Sequence, residues 1–167
     1  MFAINNFKSV IIEWLCEHDF SNLEIDFADD FGYVNTDDLK CINIGIIPHR
    51  IEGNYFEQFL YEYGCDYIGI PYPILCLLHE LGHYNTTTNF SNEELWIYHL
   101  IKDINKKRIS QEEYFEYWEI PDEFAANVWV INYINTHIEA VEELTQKYII
   151  AWNQLVQSNE LTDYIKE

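Results

Sequence analysis

The stretch His79-Glu80-Leu81-Gly82-His83 has the residue types and spacing needed for metal chemistry. On a helix, residues four apart lie on one face, so both imidazoles can reach a single metal ion. In an HExxH arrangement the glutamate is not a ligand but takes a proton from metal-bound water. The preceding apolar run, Pro73–Leu78, predicts a core helix with one polar stripe. The alternative interpretation is a buried helix with two incidental histidines.

A catalytic zinc site usually has three protein ligands and an open position for water. The pattern HExxHxxGxxH is not met, because Thr86 and Asn89 stand at its later positions. Glu123 is the candidate instead, since it lies in the first turn of a predicted helix, where the helix dipole favours an ionised carboxylate. Ala125 and Ala126 would let that helix approach the motif helix closely. Without a metal, Glu123 would be an ordinary first-turn acid.

The two motifs His79-Glu-Leu-Gly-His83 and Glu123-x-x-Ala126-Asn127 are similar to those of the ImmA/IrrE-type metallopeptidases. These are minimal zincins often found in phage, mobile elements and bacterial regulators. The resemblance covers about residues 70–135. The chain departs from the family pattern in a longer, aromatic interval between the motifs and in the segment after Asn127.

This resemblance implies zinc as the cofactor, with His79, His83 and Glu123 as ligands and Glu80 as the catalytic base. In the family the substrate is typically a DNA-binding repressor or another regulator cleaved in the same cell. The implied activity is therefore that of a zinc metallopeptidase, a hydrolase acting on a protein or peptide.

The expected mechanism follows from zinc chemistry. Zinc lowers the pKa of bound water toward ~7 and polarises the scissile carbonyl, while Glu80 accepts the water proton and passes it to the leaving amine. A donor to the tetrahedral oxyanion is also needed. Tyr84, Tyr98 and Tyr117 are candidates, each of which could equally be a packing or surface residue.

Three further residues near the motifs admit two interpretations each. Asn127, one helical turn after Glu123, either orients a ligand imidazole or is an amide at a helix contact. Cys76 either lines the site or is a core thiol. His99 either competes with Glu123 as third ligand or is a packed or surface histidine.

The composition limits the class of function. Of 167 residues, 29 are acidic and nine are Lys or Arg, giving a formal net charge of −20. Binding of nucleic acid through its phosphates needs clustered basic residues, so the charge argues strongly against it, and we expect no direct nucleic-acid binding. Binding to an anionic membrane surface is equally disfavoured. An acidic surface attracts basic protein partners or simply keeps an aromatic-rich domain soluble.

Cysteine usage and the lack of targeting segments bear on the compartment. Cys16, Cys41, Cys65 and Cys76 form no CxxC pair, so we interpret them as small core residues in a reducing compartment. Neither a signal peptide nor an apolar run of ~18–20 residues is visible. We therefore expect a cytoplasmic protein.

The hydrophobic pattern predicts an α+β fold: a small antiparallel or mixed sheet in the first third, then a helical remainder with a two-helix zincin core. The expected elements are a helix over Phe7–His18, strands over Leu23–Phe27, at Tyr33–Val34 and over Cys41–Ile47, and helices over 54–63, from about 71 to 85–88, 91–107, 110–118, from 121, and 136–157. We expect a single domain, 1–167, with an N-terminal helix and small sheet (1–70), zinc-site helices (71–136) and a C-terminal helix (137–167).

Local signals mark the ends of several helices. Capping boxes are predicted at 91–94, 110–113 and 136–139. Gly64 would end the helix over 54–63, and Pro121 suits the first position of its helix.

Two functional hypotheses of different class remain open from the sequence. The first is a zinc-dependent endopeptidase acting on a cytoplasmic protein. The second is an acidic protein-interaction module with a structural or vestigial metal site. An acidic mimic of DNA is a third, resting on the charge alone.

Overall fold

The computed structural model describes the backbone of residues 2–28, 33–34, 41–45, 55–65, 67, 69–106, 119–158 and 160, and the side chains of 3–23, 25, 59–65, 67, 69–102, 119–158 and 160. Its helices are α1 (Phe2–Glu17), α2 (Tyr55–Glu62), α3 (Tyr72–Thr86), α4 (Asn92–Lys106), α5 (Pro121–Thr136) and α6 (Ile138–Ser158). A 3-10 turn, Thr87–Asn89, follows α3. The helices predicted over these stretches are confirmed, whereas the one over 110–118 lies outside the described residues.

The predicted α+β class, with a sheet in the first third, is wrong. Where side chains are described, the chain is 82% helix and contains no complete strand. Three short backbone segments, β1 (Glu24–Ala28), β2 (Tyr33–Val34) and β3 (Cys41–Gly45), pair in the order β1-β3-β2. β1 runs parallel to β3, with Glu24 opposite Cys41, and β2 runs antiparallel to it. Among the residues whose side chains are described, the buried core is built mainly from the helices, with Ile25 of β1 packed against it.

Helix packing supplies the core instead. α3 packs along α5, and α1 packs along α6. The first helix carries its apolar residues on one face, so that Phe7, Ile11 and Trp14 are all buried. The Trp14 indole donates a hydrogen bond to the Ala140 carbonyl oxygen at 3.0 Å, which ties α1 to α6. Both helix pairs contribute to one hydrophobic cluster, and the predicted division of the domain at 70 and 136 stays a prediction.

The ends of the helices follow local signals in most cases. The Ser91 backbone amide donates to the Glu94 carboxylate at 2.8 Å, and the Glu94 amide donates to Ser91 Oγ at 3.3 Å, which confirms the capping box before α4. Gly64 has φ +72° after α2, a left-handed conformation that glycine adopts without strain. Pro121 begins α5 as predicted.

Thr136 departs from its predicted role. Its hydroxyl donates to the Asn132 carbonyl oxygen at 2.7 Å, one turn back in α5. Thr136 is the last residue of α5, and His137, not Thr136, directly precedes the first residue of α6. Thr136 therefore belongs to the end of α5, and α6 begins without the predicted capping box.

No helix in the described ranges combines the length and the apolar character that crossing a membrane would require. The described cysteines are all free thiols: Cys65 is buried, Cys76 is partly buried and Cys16 is exposed. The interpretation of the cysteines as core residues is thus wrong for Cys16, and the side chain of Cys41 lies outside the described residues.

Candidate metal centre

The C-terminal half of α3 presents two histidines on one side. Leu75, Leu78 and Leu81 are fully buried and hold the other side of α3 in the core. His79 is buried and His83 is partly exposed, and their Nε2 atoms are 3.1 Å apart. The four-residue spacing therefore brings both imidazoles to one point, as the sequence predicts.

α3 and α5 approach each other closely beside these histidines. A Cβ atom added to Gly82 would lie 2.6 Å from the Ala126 carbonyl oxygen, which is closer than a Cβ carbon approaches an oxygen in folded proteins. Ala126 is itself fully buried. The sequence predicts the small residue on α5 but misses its counterpart, because nothing in the pattern reveals that position 82 faces backbone.

Glu123 reaches the histidines from the first turn of α5. Its side chain is buried, and its Oε2 atom lies 3.1 Å from His79 Nε2 and 3.5 Å from His83 Nε2. The ligand atoms of His79, His83 and Glu123 all lie within 4.8 Å of one another, and this group could hold a metal ion. The three residues singled out by the sequence are thus brought together.

The separations of these atoms fit a tetrahedral site. Bonds of about 2.0–2.1 Å, usual for zinc with nitrogen and oxygen ligands, place neighbouring ligand atoms about 3.3 Å apart. The three separations here are 3.1, 3.1 and 3.5 Å. Two imidazoles and one carboxylate suit several divalent transition metals, so the group could hold a metal ion whose identity the geometry does not show.

Asn127 orients one of the imidazoles. It is fully buried on α5, and its Oδ1 atom lies 2.8 Å from His79 Nδ1. An amide oxygen accepts a hydrogen bond, so Nδ1 carries a proton, and in the neutral ring Nε2 keeps its lone pair for a ligand role. Of the two interpretations of Asn127, the structure supports the one in which it holds a ligand histidine.

A buried ion cluster that the sequence does not reveal lies beside Glu123. Lys102, from α4, is 8% exposed, and its Nζ atom lies 2.5 Å from Asp122 Oδ2 and also contacts Glu123 Oε1. The only signal in the sequence is its position four residues after Tyr98 and seven after Leu95, on the inner face of α4. Which carboxylates Lys102 contacts depends on how α4 packs against α5, and the sequence does not show this.

The charges of the site perturb one another. Burial favours the neutral form of each group, yet the pKa of Glu123 lies well below its ordinary value because the charges and hydrogen bonds of His83 and His79 outweigh burial. The pKa of His79 is raised, because its hydrogen bond to Glu123 and the attraction of that charge outweigh desolvation. For Lys102, likewise, the attraction of Glu123 and Asp122 overcomes burial and raises the pKa.

Glu80 lies next to His79 on α3 and is 8% exposed. Burial raises its pKa, and the neighbouring histidines reverse that rise only in part. Its charge therefore interacts with those of the ligand group although it is not a member of it. A buried carboxylate of raised pKa beside a metal site is the environment expected of a general base.

The competing candidates do not join the three-residue group. His99 is exposed on α4. Burial raises the pKa of the Cys76 thiol to about 12, against a lowering by its hydrogen bond to Tyr72. Cys76 is therefore held as a neutral thiol, which is a poor metal ligand.

The remaining histidines and the candidate Tyr117 have ring contacts elsewhere or lie outside the described residues. His18 stacks on Trp14, and His137 stacks on Tyr133. His49 and Tyr117 lie outside the described residues.

The oxyanion donor stays a prediction. Tyr84 is partly buried, and the ring of Tyr98 packs edge-on against Phe90 at 5.6 Å. These positions do not single out one of the tyrosines for that role.

No family model, curated protein or solved structure matches this chain. The similarity to the ImmA/IrrE-type metallopeptidases therefore stays a prediction. It rests on the motif residues at 79–83 and 123–127 alone.

Proposed function

We propose that this protein is a zinc-dependent peptidase that hydrolyses a peptide bond in another protein. The observation that carries the proposal is the convergence of the HExxH histidines with Glu123, at 3.1 and 3.5 Å. Two imidazoles and one glutamate form the His2Glu donor set found in catalytic zinc sites, which keep one position open for water.

The buried charges around the site favour a divalent ion. Glu80, Asp122 and Glu123 are buried carboxylates, and Lys102 is the one buried ammonium among the described residues. With all four ionised and the histidines neutral, two negative charges remain in surroundings of low dielectric, which is costly. A divalent cation on the ligand group would balance them.

The residues of the chain supply the remaining chemistry. Zinc, when bound, would act as a Lewis acid on the scissile carbonyl and would acidify water. Glu80 takes the proton from the attacking water and delivers it to the leaving amine. Asn127 keeps the His79 ring in the tautomer that leaves Nε2 available.

The proposed substrate is a protein or peptide rather than a nucleic acid or a lipid surface. The net charge of −20 disfavours polyanionic partners. The resemblance of the motifs further suggests a DNA-binding regulator of the same cell, and hence a cytoplasmic enzyme.

Metal content and cleavage test this proposal together. Purified protein should contain about one zinc per chain, and His79→Ala and His83→Ala should each lose it. Zinc-loaded protein should cleave members of a library of internally quenched peptides, and Glu80→Gln should abolish cleavage. Protein that contains no zinc and gives no thermal shift with added zinc would sink the proposal.

The net charge supports one alternative, an acidic protein-interaction module in which the metal is structural. Under that alternative, a basic partner protein would bind the Glu80→Gln variant as tightly as the unchanged protein. A peptidase and an interaction module with a structural metal would contain the same amount of zinc, so only a test of catalysis separates the two functions.

A further inference from the structure

We propose that Lys102 is a positioning residue that holds Glu123 as a one-oxygen metal ligand. The inference rests on the proposed metal site and adds a third helix, α4, to it. It assigns a role to a buried lysine that lies between the two motifs and outside both of them.

The two oxygens of Glu123 face different partners. Oε2 lies near the imidazoles, at 3.1 Å from His79 Nε2 and 3.5 Å from His83 Nε2. Oε1 is in contact with the Lys102 ammonium. The contact with Lys102 holds Oε1 toward the ammonium and leaves Oε2 as the oxygen that faces the imidazoles, so Glu123 would contribute a single ligand atom.

Lys102 is itself held in place. Its side chain is about nine-tenths buried, and a second carboxylate, Asp122 Oδ2, lies 2.5 Å from its Nζ. Asp122 precedes Glu123 in the first turn of α5, so one ammonium bridges two neighbouring carboxylates of that turn. Side chains that hold a ligand from outside the first coordination shell fix its orientation and typically contribute 10–100-fold to metal affinity.

A consequence for the open coordination position follows. If Oε1 were released, the carboxylate could turn to bind the metal through both oxygens, so that with the two imidazoles and water the metal would have five ligand atoms instead of four and less room at the water position. Lys102 would therefore preserve a four-coordinate site as well as strengthen it.

Cobalt substitution tests this inference by a signal that a merely structural role would not move. Four-coordinate Co²⁺ absorbs visible light several-fold more strongly than Co²⁺ of higher coordination number, so the band intensity reports the ligand count. The proteins to compare are the unchanged chain, Lys102→Met, Lys102→Arg and Lys147→Met. Lys147 is a matched control, because it also forms an ion pair with a carboxylate, Glu143, at 2.7 Å. That ion pair is exposed to solvent and lies on α6, outside the ligand group.

We expect Lys102→Met to bind zinc about 10–100-fold more weakly, measured by competition with a chelator, and to lose Co²⁺ band intensity. Lys102→Arg, which keeps the positive charge, should retain much of the zinc affinity and of the Co²⁺ band intensity. Lys147→Met should change neither the affinity nor the band. Thermal unfolding of each metal-free variant checks that it folds. If Lys102→Met does not fold, Asp122→Asn, which leaves the lysine in place with one charged partner removed, should show the same changes to a smaller extent.

Two results would overturn the inference. One is a Lys102→Met protein with unchanged affinity and spectrum, which would make Lys102 a structural ion only. The other is tighter zinc binding by that variant, which would mean that Lys102 competes with the metal for Glu123. Failure of the unchanged protein to bind zinc or Co²⁺ would instead refute the metal site, so the two proposals fail in distinguishable ways.

Discussion

Glu80 and its neighbouring histidines share one turn of α3, but the proposal gives them different roles. The imidazoles point their Nε2 atoms at Glu123, whereas Glu80 stays outside the ligand group. Its raised pKa, caused mainly by burial, brings the carboxylate closer to the working range of a general base. The distinction between ligand and base can therefore be tested by removing one charge without changing the shape.

Glu80→Gln is expected to keep zinc and lose catalysis. General-base catalysis typically contributes 10²–10⁴-fold, so the cleavage rate of the quenched peptides should fall by roughly that factor. Glu93→Gln, which removes an exposed carboxylate from the first turn of α4, is the matched control and should leave the rate unchanged. Retained activity in Glu80→Gln would assign the base to another residue.

The effect of zinc on stability should depend on pH. A ligand histidine must be neutral, and the pKa of His79 is raised, so protons compete with zinc as the pH falls through that value. Glu123 stays ionised across this range, because its pKa is well below the ordinary one. The thermal shift caused by zinc should therefore be larger at about pH 8 than at about pH 6.

The stability of the metal-free protein should change with pH in the opposite direction, falling as the pH rises. A group with a raised folded-state pKa stabilises the fold below its unfolded pKa, about 6.5 for histidine, and loses that contribution as the pH rises through the folded value. His79 paired with Glu123 is such a group. Melting curves with and without zinc at both pH values measure both trends, and a zinc shift that grows toward acid would contradict the ligand assignment.

At the level of single residues, the sequence predicts the metal centre better than its surroundings. His79, His83 and Glu123 were identifiable because helical spacing and a first-turn carboxylate have a direct chemical meaning. Asn127 could be placed because it lies one turn from Glu123 on the same helix. Lys102 could not, since its partners depend on the docking of a separate helix.

Among the helices, the contact between α3 and α5 determines whether the ligand group can form. A ligand from α5 can reach the histidines of α3 only if the two backbones come close, and the contact of Gly82 with Ala126 permits this approach. The surrounding atoms are main-chain atoms, which cannot move aside as the end of a side chain can. Position 82 therefore tolerates no side chain without separating the helices.

Gly82→Ala is expected to destabilise the protein and weaken its metal site. Overpacking of this kind typically costs 1–3 kcal/mol, here only partly offset by the better helix propensity of alanine. Thermal unfolding and zinc titration measure both effects. Asn85→Ala, at an exposed position in the next turn of α3, serves as the control. An additional Ala126→Gly change should not rescue the variant, because the close atoms belong to the backbone.

The elements themselves were predictable where periodicity and end signals agreed. Pro121 and the Ser91 capping box located α5 and α4 to within a residue or two. The fold class failed, because alternation over Leu23–Phe27 describes one short segment and says nothing of how much core it builds. Among the described side chains, most of the buried ones lie on the helices, whose apolar stripes are visible in the sequence. Periodicity does not show which helices pack together, so the pairing of α1 with α6 could not be predicted.

On the scale of the whole molecule, the ligand group joins helices that are distant in the chain. A metal there would bridge α3 and α5, and through Glu123 and Lys102 it would also involve α4. Binding to the folded state alone stabilises that state by mass action. The size of this stabilisation depends on the zinc concentration relative to the dissociation constant.

Zinc at about 100 times its dissociation constant should stabilise the protein by about 2.7 kcal/mol. For a chain of this size that corresponds to a rise in Tm of roughly 5–10 °C. Chelation should reverse the rise. His83→Ala should lack it, whereas His99→Ala, an exposed histidine on α4, should show it in full. An equal shift in both variants would mean that zinc binds elsewhere.

The distribution of the ligands along the chain also has a kinetic consequence. His79 and His83 come together as soon as one helix forms, but Glu123 follows forty residues later and arrives only when α5 docks on α3. If that docking completes after the folding transition state, zinc will slow unfolding while leaving the refolding rate nearly unchanged. Stopped-flow refolding and unfolding rates, measured with and without zinc, would then show whether α5 docks on α3 before or after the folding transition state.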